Sequence, residues 1–202
     1  MGRRRCCSRW APASAPSSSS SAGDHDGGRV ELITGWYVAL VALIGLERVA
    51  ELVVTKRNAA RSFADGGYER GQRHYPFMVV LHTGLLVGCV AEVVLADRTF
   101  RPALGWPMLA LVLGAQALRW WCIATLGRQW NTRVIIVPGL ARVVDGPYRV
   151  LRHPNYVAVV LEGLALPLVH SAWITAVVFT VVNAALLAVR LRVENAALAD
   201  LR

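Results

Sequence analysis

Two short polar stretches of this chain hold most of the side chains able to do chemistry. The first is GPYRVLRHPNY, Gly146 to Tyr156, and the second is RLRVEN, Arg190 to Asn195. Together they offer a carboxylate at Glu194, guanidinium groups at Arg152 and Arg190, an imidazole at His153 and phenols at Tyr148 and Tyr156. Such a set can bind a ligand that carries both signs of charge, and His153 or Glu194 could take a proton from a weakly acidic group. Each residue also has a plainer reading. Pro154 suits the first position of a helix, which would make His153 an interfacial residue. Arg190, Arg192 and Arg202 could be flanking charges at a helix end, and Glu194 a solvated acid.

The elements that carry these stretches are strongly apolar. With 202 residues, 55% hydrophobic content and a mean hydropathy of +0.43, the chain has more apolar side chain than one soluble core can absorb. A multi-span membrane protein in contact with the lipid bilayer is the reading that follows. The net charge of +9 does not indicate a nucleic-acid partner, because the 22 Lys and Arg residues fall mostly between apolar runs rather than along one stripe. Cys6, Cys7, Cys89 and Cys122 have neither metal-knuckle nor redox-pair spacing and read as incidental. No metal site follows.

Residues 1 to 30, with Arg3, Arg4, Arg5, Arg9 and the serine run Ser17 to Ser21, have almost nothing to bury and read as a disordered tail. Residues 31 to 202 form one membrane domain. Its first apolar run, Leu32 to Val54, is interrupted by Glu47, Arg48 and Glu51, which share a helical face. That face is either an interfacial helix end with snorkelling charges or a polar surface turned into the bundle. A basic loop leads to a second span, Pro76 to about Ala96, in which His82 and Glu92 read as bundle-facing packing or hydrogen-bonding residues rather than ligands. A third span, Trp106 to about Leu126, carries Gln116 and Arg119. Residues 127 to 154 break the pattern with Gly, Pro and Arg and one short extended piece at Val134 to Val137.

The last apolar block divides near Pro167 to Ser171. Its first leg, Asn155 to Val169, is only about 22 Å as a helix, against roughly 30 Å of hydrocarbon; the second, Trp173 to Leu191, is long enough to span. A helical hairpin returns the chain to the side where the block began and brings the two polar stretches to one membrane face. Basic residues number five in the 55 to 75 loop, two in the 97 to 105 loop and five in the 127 to 154 connector. The positive-inside rule places the first and third in the cytoplasm.

The combination GPYR, RHPNY, hairpin and RxRxE resembles the isoprenylcysteine carboxyl methyltransferase family over roughly residues 32 to 202. Arg152, His153, Pro154 and Tyr156 match the first element of its pattern, and Arg190 and Glu194 match the second; Asn195 departs from it where many relatives have a second acid. The resemblance implies an all-α integral membrane protein of about five transmembrane helices with a cytoplasmic cofactor pocket and its catalytic part near residues 127 to 202. It implies S-adenosylmethionine as cofactor without a Rossmann fold, and the sequence has no GxGxxG after a predicted strand. By the same resemblance Tyr148, Arg152, His153, Pro154 and Tyr156 line the cofactor site, and Arg190 with Glu194 are the catalytic pair.

The elements RN (Arg57, Asn58), HYP (His74 to Pro76) and WN (Trp130, Asn131) are similar to a bacterial branch whose members resemble methyltransferases of polyketide-derived alkylpyrones or alkylresorcinols. A bacterial cytoplasmic-membrane enzyme that O-methylates a lipophilic small molecule, or alternatively a prenylcysteine-like carboxylate, is the function implied. Two other classes stay open on the residues alone: a phospholipid N-methyltransferase, and a non-catalytic membrane protein or small transporter with Glu47, Glu51, Glu92 and Arg119 along a polar path. Nothing in the pattern specifies an oligomer.

Overall fold

The computed structural model describes residues 22–70, 75–141 and 143–199. The tail up to residue 21 with Cys6 and Cys7, Arg73, His74, and Arg202 lie outside the described residues, as does the side chain of Asn195. The order is α1 (Ala22–Ala64), β1 (Tyr68–Arg70), α2 (Tyr75–Leu95), α3 (Pro102–Leu126), β2 (Val134–Ile136), α4 (Pro154–Val169) and α5 (Trp173–Ala199). Residues 22–30, grouped with the tail by composition, are the first turns of α1. Once the apolar run nucleates a helix, each further residue adds a hydrogen bond at little cost, so the helix outruns its apolar pattern.

Among the described residues, three helical stretches are long and apolar enough to cross a membrane: Tyr75–Leu95, Pro102–Gln129 and Trp173–Glu194, with hydropathies of 2.1, 1.5 and 2.1. Their outer faces leave large apolar side chains uncovered, among them Val80, Val87, Leu113, Val177 and Val181. Water would penalise such a surface and hydrocarbon would not. Exposed Trp106 and Trp173 near the starts of α3 and α5, and Trp120 and Trp121 near the end of α3, suit the aromatic belts of a bilayer. The chain is an all-α membrane protein.

The core lies where the five helices meet, around Tyr37, Leu85, Cys89, Val112, Leu166, Val169 and Phe179. Cys89 and Cys122 are buried free thiols. The hairpin divides where the sequence indicates, between α4 and α5, and α4 is 16 residues long. This leg is short for a bilayer, so its tip needs protein around it rather than lipid. Val169, His170, Ser171 and Ala172 are all buried, and the His170 ring packs on Tyr37 and Phe100 at centroid distances of 5.1 and 6.0 Å. The Tyr37 hydroxyl donates to the Leu166 carbonyl at 3.0 Å, and the chain reverses through Ser171 at φ +59°.

Two contacts set the spacing of this hairpin. Gly163 faces Phe179 so closely that an added methyl would overlap the ring. The Glu92 carboxylate on α2 accepts from the backbone amides of Ile174 and Thr175 at 3.1 and 2.7 Å and from the Thr175 hydroxyl at 2.8 Å. It thereby caps the first turn of α5, where unpaired N–H groups and the helix dipole favour an anion. We expect Gly163→Val to lower stability by about 1–3 kcal/mol, the usual range for overpacking. Thermal unfolding in detergent measures it, and an unchanged midpoint would show that α4 and α5 are not held this tightly.

At the opposite face, β1 and β2 pair antiparallel, with Glu69 opposite Ile135. The extended piece expected at 134 to 137 is β2; its partner β1 sits in what the sequence presents only as a basic loop. A three-residue strand offers too few alternations to read as one. Asn58 closes the same face, donating from Nδ2 to the carbonyls of Gly127 at 3.1 Å and Trp130 at 2.8 Å. The end of α1, the end of α3 and the connector before α4 are thus one layer.

Candidate active site

Pro154 occupies the first turn of α4, and His153 is the capping residue before it, with φ −136° and ψ 65°. Its ring fixes the start of the helix, as the plainer sequence reading anticipates, and the same act aims His153 and Tyr156 at the end of α5. The two rings lie stacked with centroids 5.4 Å apart and planes 15° from parallel. Across from them, Glu194 takes both: its Oε1 lies 3.3 Å from His153 Nδ1, and its Oε2 accepts a short hydrogen bond from the Tyr156 hydroxyl. Arg190, one turn earlier on α5, donates from Nε to the same hydroxyl at 2.7 Å and lies over the Tyr156 ring at 5.3 Å. Its remaining nitrogens reach the Thr132 carbonyl at 2.7 Å and the Met78 sulfur at 3.1 Å.

The structure therefore brings Arg190, Glu194, His153 and Tyr156 into one cluster, 34 to 38 residues apart in sequence for the Tyr156 contacts. Tyr148 is half-buried in the 3₁₀ turn Gly146–Arg149, and burial pushes its phenol above the ordinary range, so it remains a hydrogen-bond donor. Arg152 is exposed and has no ion pair or hydrogen bond among the described residues.

Beside the cluster lies a partly open cavity of about 150 Å³. Arg190, Met78, Thr132 and Asn155 form one part of its lining, and Arg48, Glu51, Arg119 and His82 another. Five lining residues carry buried polar atoms with no hydrogen-bond partner among the described residues: Arg48 Nε, Arg119 Nε, Trp130 Nε1, Thr132 Oγ1 and Asn155 Oδ1. Such atoms are costly unless something binds them, so a ligand with its own donors and acceptors is the natural counterpart.

Between α1, α3 and α4 the charged residues form a closed ring. Arg48 binds Glu51 at 2.7 Å and Glu162 at 2.9 Å; Arg119 binds Glu162 in a short ion pair and approaches Glu51 at 3.7 Å. Gln116 extends the ring, accepting from Arg48 at 3.1 Å and donating to Glu47 through a short hydrogen bond. The face of Glu47, Arg48 and Glu51 is thus turned into the bundle rather than toward a headgroup layer. Arg119 and Glu162 lie about 10–12 Å along their helices from the connector face, deep enough that unpaired charge would be prohibitive. Local pattern groups Glu47, Arg48 and Glu51 on one helical face but does not join them to Arg119 or Glu162. The available signal was a lone Glu162 and a lone Arg119 inside apolar runs, each of which needs a partner of opposite sign.

Comparison with known proteins agrees with this organisation. The profile of the isoprenylcysteine carboxyl methyltransferase (ICMT) family matches residues 108–200, the segment that holds most of α3, the connector and the hairpin. The uncharacterized protein YpbQ of Bacillus subtilis is 37% identical over 162 residues, covering 80% of this chain and 95% of the relative. An uncharacterized protein of Haemophilus influenzae is 25% identical over 157 residues, covering 76% and 90%. No solved structure matches the chain. A membrane bundle whose hairpin joins the RHPNY and RxRxE elements in one cluster, matched by the profile over that same region, belongs to the isoprenylcysteine carboxyl methyltransferase family.

Proposed function

We propose that this membrane methyltransferase moves the methyl group of S-adenosylmethionine to an acidic oxygen of a lipophilic acceptor, at the cytoplasmic face of a bacterial membrane. The observation that carries the proposal is the linked set Arg190, Tyr156, Glu194 and His153 beside a cavity whose wall holds unpartnered polar atoms. The donor supplies, when bound, a methyl group on a positively charged sulfur. Its carboxylate, ammonium and adenine require a cation, an anion and a hydrogen-bonding aromatic edge. Arg190 supplies the first, Glu194 the second, and the side chains of Trp130, Asn155 and Tyr156 the third.

What these residues must do follows from the charge change. A cationic donor and an electron-rich oxygen lose charge as they approach, so alignment and exclusion of bulk water matter most. Leu52, Val79, Leu86 and Val159 give the cavity an apolar lining that serves the second need. Pro154, buried at the start of α4, holds His153 and Tyr156 in register with α5 and serves the first. A cavity of this volume accommodates an acceptor head group, while a lipophilic tail lies along the apolar helix faces.

The test is radiolabelled methyl transfer by purified protein in detergent, offering a prenylcysteine, an alkylpyrone and phosphatidylethanolamine. Label on an acidic oxygen of either of the first two is the expected result. Label on the phospholipid amine alone would replace O-methylation with N-methylation, and no transfer from S-adenosylmethionine to any acceptor would overturn the reading.

A further inference from the structure

We propose that His82, in the middle of α2, is the general base of the reaction, and that the acceptor therefore enters the cavity as a neutral hydroxyl of the enol or phenol class rather than as a carboxylate. The inference rests on the donor-binding reading above and adds to it the group that handles the proton.

The imidazole is anchored to its own helix. His82 Nδ1 lies 2.8 Å from the Met78 carbonyl oxygen, one turn back on its own helix. A carbonyl can only accept, so Nδ1 carries the hydrogen and the neutral ring keeps its lone pair on Nε2. Nε2 lies across the ring from that anchor and has no hydrogen-bond partner among the described residues. His82 lines the cavity, and its ring is held by edge-on packing against Phe179 at 5.5 Å and 86°. The side chain is thus oriented, in one tautomer, with a proton-accepting nitrogen left over. A packing histidine would use both nitrogens or bury them against apolar groups.

The charges around it are already paired. His82 shares the cavity with Arg48 and Glu51 of α1, Arg119 of α3, Asn155 of α4 and Arg190 of α5, and Glu162 of α4 lies behind the two α1 and α3 arginines. Arg48 and Arg119 are each committed to two carboxylates in the closed ring. Arg190 is committed to Tyr156 and Thr132 and, in the proposed function, to the donor. Apart from the donor's sulfonium, an acceptor arriving as an anion would meet no uncommitted cation in the cavity lining without breaking the ring. A neutral hydroxyl needs no counter-charge, but it must lose its proton as it reacts. His153 and Glu194, the bases suggested by the sequence, do not line this cavity and are bound to each other at 3.3 Å.

The acceptor O–H bond breaks and its proton goes to His82 Nε2, while the oxygen's electron pair forms the new bond to the methyl carbon. The sulfur–methyl bond breaks with its electron pair remaining on sulfur, which becomes neutral, and the imidazolium later gives its proton to water.

The substitution His82→Asn tests this. The asparagine amide retains a donor where Nδ1 stood, so the bond to Met78 can persist, but it offers no nitrogen that accepts a proton. With a series of hydroxyl acceptors of falling acidity, the variant is expected to lose about 10²–10⁴-fold in turnover on the least acidic, and progressively less on the more acidic. Donor binding, followed separately by calorimetry, is expected to stay unchanged. In the unmodified protein, imidazole ¹⁵N spectra are expected to show His82 protonated at Nδ1 alone. A loss independent of acceptor acidity, no loss, or an Nε2-protonated neutral ring would each overturn the assignment. Turnover by the unmodified protein of carboxylate acceptors only would also overturn it while leaving the proposed function standing. Failure to bind the donor or to transfer methyl at all would remove both.

Discussion

Glu194→Ala is expected to cut methyl transfer by about 10²-fold or more, and His153→Ala by a smaller factor, with the helical bundle intact in both. Glu194 touches His153 and Tyr156 and, through the Tyr156 hydroxyl, is joined to Arg190. Its removal leaves Arg190 beside a phenol with no anion near the site where the donor's ammonium must sit. Truncating one member of a hydrogen-bonded, desolvated charge pair costs about 2–5 kcal/mol, and each 1.4 kcal/mol is a tenfold change in affinity. Tyr156→Phe separates the two roles of that residue, keeping the ring stacked on His153 while removing the hydroxyl that bridges Arg190 and Glu194. A loss intermediate between those of the two alanine variants is expected from it. Steady-state transfer of labelled methyl, together with circular dichroism for the fold, measures all three. Full activity in Glu194→Ala and His153→Ala together would show that this cluster is not the site.

The second large effect is expected in stability. Arg119→Ala leaves Glu162 and Glu51 with only Arg48 between them, all three at least partly buried in the bundle. Breaking a buried ion pair by removing one partner costs about 3–5 kcal/mol, because the survivor keeps its desolvation penalty and loses its compensation. Removing both charges of the pair, as in Arg119→Leu with Glu162→Leu, is expected to cost less than the single change. The comparison isolates the coupling between them. Thermal unfolding in detergent measures the difference. Equal and small losses in all variants would mean the ring is a surface feature that water reaches.

The legible parts of this fold were those that depend on local pattern. The bounds of α2, the end of α3 and the division of the last apolar block follow from runs of apolar residues ended by Pro, Gly and charge, whereas α3 begins at Pro102, four residues before the expected Trp106. The hairpin follows from a leg too short to cross and a leg long enough to return, and it alone suffices to bring RHPNY to RxRxE. Tyr156, His153, Arg190 and Glu194 are joined as that topology requires. The site's further lining was not legible. Met78, His82, Thr132 and Asn155 come from three elements, and nothing local distinguishes their approach to Arg190 from ordinary packing. The ring of Arg48, Glu51, Arg119 and Glu162 spans partners up to 114 residues apart, beyond what helical periodicity can relate. Arg152 illustrates the opposite case. It stands inside the motif, yet the first turn of α4 directs His153 inward and leaves its neighbour exposed, since adjacent positions at a helix start face different directions.

Methyl transfer at this site requires a donor held by Arg190 and Glu194 where α4 begins and α5 ends. The most direct test of that requirement is calorimetric titration of the purified protein with S-adenosylmethionine, repeated with Arg190→Ala and with Glu194→Ala. Saturable binding at one site per chain is predicted, competed by S-adenosylhomocysteine and weakened at least tenfold in each variant. Absence of binding, or binding that both variants retain at full strength, would contradict it.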